Sequence, residues 1–274
     1  MSTDSYVLGR SAAETQRLHL QGQIYGSHTE HLLRSAGLTR GMRVLDIGCG
    51  VGDVTLAAAR LVGPSGEVIG VDADASLLAV ATDRAAGSGM ENVSFIRADI
   101  PDIPIDGEVD ALIGRLILIH LEDPVGAIRA LRPLVRPGGI IAFQDFGLGH
   151  TTAPRTVPLA ATVSGWGRDA LRASGHPLLG SDGLVSIYRD AGLSVSGITA
   201  VTSAASDPES PLFDYLAATI GSLLPAITAH GIATEAEVEI DTLADRLRAD
   251  ARETGALLHV TELVGVWATE PERN

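Results

Sequence analysis

The chain has 274 residues, of which 45% are hydrophobic and 20% charged, with 31 glycines and 13 prolines; this is a globular composition that excludes a disordered or collagen-like chain. All 20 basic residues are arginine, so a Schiff-base lysine and a phosphate-loop lysine are both excluded. The net charge of −14 argues against a nucleic-acid groove, which needs a broad basic surface, and favours a small or weakly charged partner.

The sequence carries no sign of export or membrane insertion. The single cysteine, Cys49, cannot form an internal disulfide, and the first thirty residues lack a cationic start followed by an apolar run. No stretch approaches the roughly 20 uninterrupted apolar residues that a transmembrane helix needs. We therefore expect a cytoplasmic protein that does not reside in a membrane.

The first thirty-five residues predict a helical region. Ser11 and Glu14 have the spacing of a capping box, and Leu18 and Leu32 lie near helical spacing. Gly37 is typical of a helix end. We expect two helices here, the second ending at this glycine.

The next part of the chain alternates short apolar runs with segments of helical spacing. The predicted strands cover residues 42–47, 67–71, 93–96, 109–113 and 140–143, and the predicted helices cover residues 54–61, 75–86 and 125–135. This alternation implies right-handed βαβ units and a parallel sheet with helices around it.

Beyond residue 146 the alternation stops. Residues 147–179 are rich in Thr, Pro, Gly and Ser and predict a loop-rich lid. The elements predicted after it are a helix at 184–191, a strand at 193–201, helices at 212–229 and 235–253, the latter opened by a Thr234–Glu237 capping box, and a strand element at 256–268. We expect one domain over residues 1–274, with a core at 38–147, 180–204 and 255–270 and lid segments at 1–37, 148–179 and 205–254.

The chemistry begins at a glycine turn after the first predicted strand. Gly48, Gly50 and Gly52 let the backbone turn sharply and let a ligand contact main-chain N–H groups. Asp53 stands where a dinucleotide fingerprint has its third glycine, which points away from NAD and FAD. Asp46 is expected to anchor the turn by hydrogen bonds.

Two acidic residues follow neighbouring predicted strands in step with the glycine turn. Asp72 lies about 20 residues downstream, the position from which a carboxylate accepts both ribose hydroxyls. Asp99 follows the third predicted strand, close to where an adenine edge would lie. The three features together predict a nucleoside site at the carboxyl ends of adjacent strands.

Five segments in this region resemble the sequence motifs of class I S-adenosylmethionine-dependent methyltransferases, specifically their ubiquinone-biosynthesis-like small-molecule branch. These segments are residues 44–52, 71–72, 98–100, 114–123 and 136–139. The resemblance implies a Rossmann-like α/β fold, with a seven-stranded, mostly parallel sheet, helices on both faces and an α-helical lid. It also implies S-adenosylmethionine as cofactor and S-adenosylhomocysteine as product.

The resemblance assigns cofactor contacts to individual residues. Asp72 would hold the ribose diol, Asp99 the adenine amino group, and Arg115 the methionine moiety. The full implied set in the core is Asp46, Gly48, Cys49, Gly50, Gly52, Asp72, Ala73, Asp99, Ile100, Arg115 and Leu116.

A weaker likeness extends upstream to the N-terminal helix of a subset of these enzymes from specialised metabolism. It implies that Tyr6, Arg17, Gln21 and Tyr25 close over the cofactor, with Tyr25 near the sulfonium. An amphipathic helix with solvated Arg and Gln side chains explains the same residues equally well.

Candidates for the acceptor side rest on position alone. His120 and Asp145 follow the fourth and fifth predicted strands and are candidate catalytic groups, although a pocket-shaping histidine and a loop-bracing carboxylate are the simpler interpretations. The candidate substrate-binding residues are His150, Trp166, Phe213 and Tyr215. No metal is expected, because the fourth strand ends in Arg115 where a magnesium-dependent relative would have an aspartate.

The predicted function is transfer of a methyl group from S-adenosylmethionine to a small-molecule acceptor, a specialised metabolite, by metal-independent in-line displacement. The alternatives are a regulatory protein that binds S-adenosylmethionine or a nucleoside without turnover, and a protein methyltransferase. We expect no nucleic-acid or membrane partner, and a homo-oligomer is compatible with the sequence. The acceptor and the methylated atom, whether C, N or O, are left open.

Overall fold

The computed structural model describes residues 12–100, 102–148, 157–176 and 180–273. Its strands are β1 (Arg43–Ile47), β2 (Glu67–Asp72), β3 (Val93–Arg97), β4 (Val109–Arg115), β5 (Val135–Phe146), β6 (Val195–Val201), β7 (Ala204–Ala205), β8 (Leu258–His259) and β9 (Leu263–Thr269). Seven of them form one sheet in the order β3-β2-β1-β4-β5-β9-β6, and β7 pairs with β8. β1 to β5 pair in parallel, whereas β9 runs antiparallel to both of its neighbours.

The helices connect and flank these strands. They are α1 (Ala12–Ser35), α2 (Asp53–Val62), α3 (Ala75–Gly87), α4 (Pro124–Leu131), α5 (Pro158–Ala173), α6 (Ser181–Asp190), α7 (Leu212–Ala229), α8 (Glu235–Val238) and α9 (Leu243–Thr254), with short 3₁₀ turns at Leu118–His120, Arg132–Leu134 and Ile240–Thr242. The predicted Rossmann-like α/β fold with a seven-stranded, mostly parallel sheet is therefore confirmed.

The central strands are apolar on both faces because helices cover both sides of the sheet. In β1, Val44 packs with Val54 of α2 on one face, whereas its neighbour Leu45 packs with Leu112 and Tyr188 on the other. This alternation follows from the two-residue repeat of a strand. The two apolar clusters hold the strands rigidly, so their carboxyl ends have fixed positions.

A separate layer of helices lies beside this sheet, and we call α1, α5, α7 and α9 the helical layer. Its own apolar cluster includes Tyr25, Val163, Phe213, Leu223 and Leu247. α1 packs against α2 as well as α7, so it joins the layer to the sheet.

Within the described residues, α7 alone is long and apolar enough to cross a membrane, judged by length and composition. Its buried residues, among them Leu216, Ile220 and Leu223, lie in the apolar cluster of the helical layer. It contacts α1, α5 and α9, so in this structure α7 is the central helix of that layer.

Three predicted elements differ from the structure. Residues 147–179 are not only a loop, because α5 occupies 16 of them, with a proline in its first turn and Ala160, Val163 and Ala170 buried. The two helices predicted at the start of the chain are one helix of 24 residues, although the Ser11 half of the capping box lies outside the described residues. The helix predicted at 235–253 is divided at Glu239, which has a left-handed backbone with φ 45°. Its Thr234 capping box is present.

Candidate active site

The glycine turn between β1 and α2 has a left-handed backbone at each of its three glycines, with φ values of 65°, 54° and 84°. A Cβ at Gly48 would lie 2.7 Å from Ile117 Cδ1, and one at Gly52 would lie 3.2 Å from Ala81 Cβ. A Cβ at Gly50 would meet nothing within 4 Å. Gly48 and Gly50 therefore both line a cavity, but only Gly50 has open space where a Cβ would stand, and Gly52 packs against Ala81.

Asp72 ties this turn to the end of β2. One carboxylate oxygen accepts a hydrogen bond from the Gly50 N–H at 2.9 Å, and the other accepts one from the Asp74 N–H at 2.9 Å. Burial raises the pKa of Asp72, although these backbone donors oppose the shift. The carboxylate is thus oriented by two main-chain groups while it lines the cavity.

The cavity lies where the carboxyl ends of β1, β2, β3 and β4 meet the helical layer. It brings together most of the residues predicted for the cofactor and one of those predicted for catalysis. These are Arg17, Gln21, Gly48, Cys49, Gly50, Asp72, Ala73, Asp99, Ile100, Arg115, Leu116 and His120.

Arg115 is a buried charged group in this cavity. Its side chain is buried, with Nη2 3.7 Å from a carboxylate oxygen of Asp53, which also pairs with Arg84 at 2.6 Å. Its Nη1 donates a hydrogen bond to Thr29 Oγ1 at 3.1 Å, and Thr29 in turn donates to Gln144 Oε1 at 2.7 Å. Arg115 is therefore positioned by side chains from α1, α2 and β5.

The roles of Asp53, Thr29 and Gln144 at this site are not predictable from the sequence. Asp53 was visible as the residue that replaces a fingerprint glycine, but its pairing with Arg115 depends on tertiary packing. Gly22 of α1 shows how close that packing is, because a Cβ there would lie 2.5 Å from an Asp53 carboxylate oxygen. Only glycine at this position allows α1 to approach the start of α2 so closely.

Leu116, directly after β4, has an unusual backbone conformation. Its φ is 57°, a left-handed value that costs a non-glycine residue about 1–2 kcal/mol. Its N–H donates a hydrogen bond to the Gln144 carbonyl oxygen at 2.7 Å, which holds the chain in this conformation. Such strain is concentrated at functional sites, and Leu116 lines the cavity.

The cavity is covered by α1, α5 and α7. Arg17 forms a bidentate pair with Glu14, with distances of 2.8 and 2.6 Å, and Ser222 of α7 donates a hydrogen bond to Glu14 at 3.0 Å. Leu171 of α5 and Leu223 of α7 complete this cover. The helix predicted to close over the cofactor thus lies at the cavity, and its Arg17 is buried and paired, not solvated.

His120 lines the cavity from the 3₁₀ turn after β4. Its ring centroid lies 5.6 Å from that of His176. The Nδ1 of His176 lies 3.0 Å from the Ile119 carbonyl oxygen and donates a hydrogen bond to it, because a carbonyl oxygen can only accept. Burial, followed by His176 and Arg17, lowers the pKa of His120 to about 3. The imidazole is therefore uncharged at neutral pH and is a weak base.

Several other predicted residues lie away from the cavity. Asp145 is fully buried, and its carboxylate braces the backbone by accepting hydrogen bonds from the Ile119 and Phe146 N–H groups, each at 3.1 Å. Asp46 is also fully buried and accepts a hydrogen bond from Thr55 Oγ1 at 2.6 Å. Burial raises the pKa of each carboxyl to about 7. Their geometry is that of bracing groups.

The aromatic residues predicted to contact the ligands belong to the helical layer. Tyr25 is fully buried and donates a hydrogen bond to the Thr261 carbonyl oxygen at 3.2 Å, and it packs edge-on against Tyr215. Phe213 is fully buried, and Trp166 packs against the same apolar cluster. None of these four lines the cavity. Tyr6 and His150 lie outside the described residues.

Two further observations limit the chemistry. Burial raises the pKa of the Cys49 thiol, which makes this cavity residue a poor nucleophile. Among the residues that the structure describes, no three His, Cys, Asp or Glu side chains converge in an arrangement that would hold a metal ion.

The residues present fit a nucleoside that carries an amino-acid end. Gly50 leaves room for a ligand against its backbone, Asp72 and Asp99 offer carboxylates at adjacent strand ends, and Arg115 offers a cation for a carboxylate. Solved structures that share the fold include ones holding S-adenosylmethionine or S-adenosylhomocysteine.

Comparison with known proteins agrees with this fit. A family model described as "Methyltransferase domain" matches residues 38–168. The ubiquinone/menaquinone biosynthesis C-methyltransferase UbiE of Pseudomonas paraeruginosa is 36% identical over 129 residues, which is 46% of this chain and 50% of that protein. This chain spans about half the length of the curated relatives it matches.

Two solved structures illustrate the similarity of fold. A SAM-dependent methyltransferase from Aquifex aeolicus superposes with a TM-score of 0.50 at 22% identity, covering 62% of this chain and 82% of that one. The [4+2]-cyclase SpnF superposes with a TM-score of 0.55 at 19% identity, covering 90% of this chain and 81% of that one. The matched segment, the sheet order and the glycine turn together make residues 38–168 of this chain similar to the methyltransferase domain of class I S-adenosylmethionine-dependent methyltransferases.

Proposed function

We propose that this protein transfers a methyl group from S-adenosylmethionine to a small-molecule acceptor by metal-independent in-line displacement. The observation that carries the proposal is the enclosure of the cavity. Its floor is the carboxyl edge of the sheet, and Arg17, Leu171 and Leu223 of the helical layer cover it. A small acceptor fits such a closed site better than a protein side chain or a nucleic acid does.

The demands on the protein are modest, because the bound sulfonium supplies an already activated methyl group. In this proposal Arg115 holds the methionine carboxylate, Asp72 the ribose diol and Asp99 the adenine. The helical layer aligns the acceptor and excludes water. Alignment alone can supply about 7–11 kcal/mol of the barrier reduction.

We infer that His120 shapes the acceptor side of the site and does not act as a general base. An efficient base has a pKa near the working pH, whereas that of His120 is lowered to about 3. An acceptor that must lose a proton would then release it to solvent and not to His120.

The acceptor that we propose is a specialised metabolite. The UbiE relative is named as a quinone-biosynthesis C-methyltransferase, which supports a ring-shaped acceptor. However, Arg17, Thr219 and Leu223 all lie outside the matched residues 38–168. The part of the site that would contact the acceptor is therefore not covered by the family match, so a quinone is not carried over. A cytoplasmic location and a core-and-lid division of one domain belong to the same proposal.

The alternative is a protein that binds S-adenosylmethionine without methyl transfer. The [4+2]-cyclase SpnF shares the fold, so the fold by itself does not require a methyltransferase reaction. Both functions require cofactor binding, and they differ in turnover.

Two measurements test the proposal in sequence. Isothermal titration first measures binding of S-adenosylmethionine and S-adenosylhomocysteine; absence of binding by the folded protein would contradict both functions. Candidate acceptors are then incubated with the protein and cofactor, and mass spectrometry looks for products heavier by one CH₂ unit. Release of S-adenosylhomocysteine that depends on an acceptor supports methyl transfer. Tight binding without such release across a broad acceptor library favours the alternative.

A further inference from the structure

The cavity has two halves of different chemistry. The glycine turn, Asp72 and Asp99 lie at the strand ends in the half assigned to the cofactor. The cavity surface as a whole is mainly apolar, and the part beneath the helical layer is lined by Leu18, Leu171 and Leu223 together with the polar Gln21 and Thr219 and the charged Glu14 and Arg17. If the proposed function is correct, this second half receives the acceptor, and the inference below rests on that assignment.

The charged groups beneath the helical layer neutralise each other. The Arg17 side chain is 2% exposed and that of Glu14 is 3% exposed. Both Nε and Nη2 of Arg17 donate to the Glu14 carboxylate, at 2.8 and 2.6 Å, and Ser222 adds a third hydrogen bond to it. This bidentate geometry fixes the guanidinium against its own counter-ion and leaves little positive charge for a ligand.

His120, the histidine that lines the cavity, supplies no cation either. His120 lines the cavity beside His176, whose Nδ1 is occupied by the Ile119 carbonyl oxygen. Burial and these neighbours keep the His120 ring uncharged at neutral pH. Among the described residues, an anionic group placed in this half would lose its water without gaining a free cationic partner, which is strongly unfavourable.

We propose that the acceptor is an uncharged, largely apolar molecule, and that Glu14 selects against anionic acceptors by neutralising Arg17. Glu14 is then a specificity-determining residue that acts partly through its partner. Removing its charge while keeping its shape would leave the Arg17 guanidinium available to a carboxylate or sulfonate in the cavity.

A matched pair of fluorescent probes tests this without an activity assay. 2-Naphthol and 6-hydroxynaphthalene-2-sulfonate differ by one sulfonate group. Each is titrated into protein saturated with S-adenosylhomocysteine at pH 7, and its fluorescence gives a Kd. We expect the wild-type protein to bind 2-naphthol at least about tenfold more tightly than the sulfonate.

Two variants then separate charge from shape. Glu14→Gln should narrow that preference at least about fivefold by tightening sulfonate binding, because Arg17 loses its counter-ion. The double variant Glu14→Gln/Arg17→Met should restore the preference for 2-naphthol, since it removes the charge again. Circular dichroism checks folding; if Glu14→Gln does not fold, Glu14→Ala, which also removes the counter-ion of Arg17, is titrated in its place.

Several results would overturn the inference. A wild-type protein that binds both probes equally, or neither, refutes the uncharged acceptor. A Glu14→Gln variant with an unchanged preference for 2-naphthol refutes the role of Glu14. The role is also refuted if the affinity for S-adenosylmethionine changes as much as the affinity for the sulfonate, since Glu14 and Arg17 would then lie at the methionine end of the cofactor. Two measurements on the wild-type protein separate these failures from failure of the proposed function: titration of S-adenosylmethionine and detection of methylated products by mass spectrometry. If the proposed function fails, the protein binds no cofactor or forms no methylated product.

Discussion

Replacing Gly50 by alanine should separate ligand contact from fold stability. The added Cβ meets no protein atom within 4 Å, so it projects into open space beside the cavity. The stability cost is then only that of a left-handed alanine at φ 54°, about 1–2 kcal/mol. The methyl group occupies the space in which the cofactor approaches the backbone, so we expect S-adenosylmethionine affinity to fall at least tenfold, or about 1.4 kcal/mol.

Gly231 and Gly48 provide the two matched controls. Gly231 has a similar φ of 64°, also meets nothing within 4 Å, and lies in an exposed turn after α7, so Gly231→Ala should lose the same stability and bind cofactor normally. In Gly48→Ala the Cβ would lie 2.7 Å from Ile117 Cδ1, which adds about 1–3 kcal/mol of overpacking to the backbone cost.

Urea unfolding and isothermal titration of the three variants measure the two effects independently. The expected pattern is equal destabilisation of Gly50→Ala and Gly231→Ala, with cofactor binding weakened only in the former. If Gly50→Ala binds S-adenosylmethionine like the wild-type protein, the cofactor does not lie against this turn, and the assignment of the cavity floor is refuted.

Three further predictions follow from buried hydrogen bonds. Asp72→Asn should weaken S-adenosylmethionine binding at least about tenfold in a titration, because hydrogen bonds to a charged acceptor contribute about 1.5–3 kcal/mol each. The control variant Asp83→Asn, on the exposed face of α3, should bind the cofactor normally. Equal effects of the two substitutions would contradict a ribose contact. Thr29→Val removes the hydroxyl between Arg115 and Gln144 and should lower cofactor affinity about tenfold, whereas Thr29→Ser keeps the hydroxyl and should bind the cofactor like the wild-type protein. Weak cofactor binding by Thr29→Ser would indicate that Thr29 acts by packing only. Asp145 has a folded-state pKa raised from 3.8 to about 7, so its protonated form stabilises the fold below pH 4, and this contribution disappears as the pH rises through about 7. The free energy of unfolding of Asp145→Asn, measured in urea, should therefore lack that loss of stability between pH 4 and 7. If the free energies of the wild-type protein and the variant depend on pH in parallel, the raised pKa of Asp145 is contradicted.

The strand ends could be predicted from the sequence because their signals are local. An apolar run that ends in glycine or aspartate marks the carboxyl end of a buried strand, and Gly50, Asp72 and Asp99 indeed lie together at the cavity. α5 has an apolar repeat too, at Ala160, Val163 and Gly167, but its glycines and threonine resemble a loop in composition. The break at Glu239 has no glycine or proline to announce it.

The acceptor side could not be predicted because burial in the helical layer is a tertiary property. Phe213 and Tyr215 were expected to cover a ligand, yet large aromatic side chains on an apolar helix face pack against other helices first, and both are buried there. Of the groups that do face the cavity from this layer, Arg17 and Gln21 are implied by the upstream likeness, whereas Leu223 has no motif that distinguishes it. Only the packing of α1 on α7 reveals Leu223.

The two walls of the cavity come from separate parts of the chain, and this arrangement affects how a new acceptor preference can arise. Gly50, Asp72 and Arg115 lie within the matched residues 38–168, whereas Arg17 and Leu223 come from α1 and α7 outside that segment. Substitutions in these two helices could reshape the space proposed for the acceptor and leave untouched the strand ends proposed to hold the cofactor. Two segments about 200 residues apart in sequence meet at this surface, so a change in either of them could alter acceptor preference.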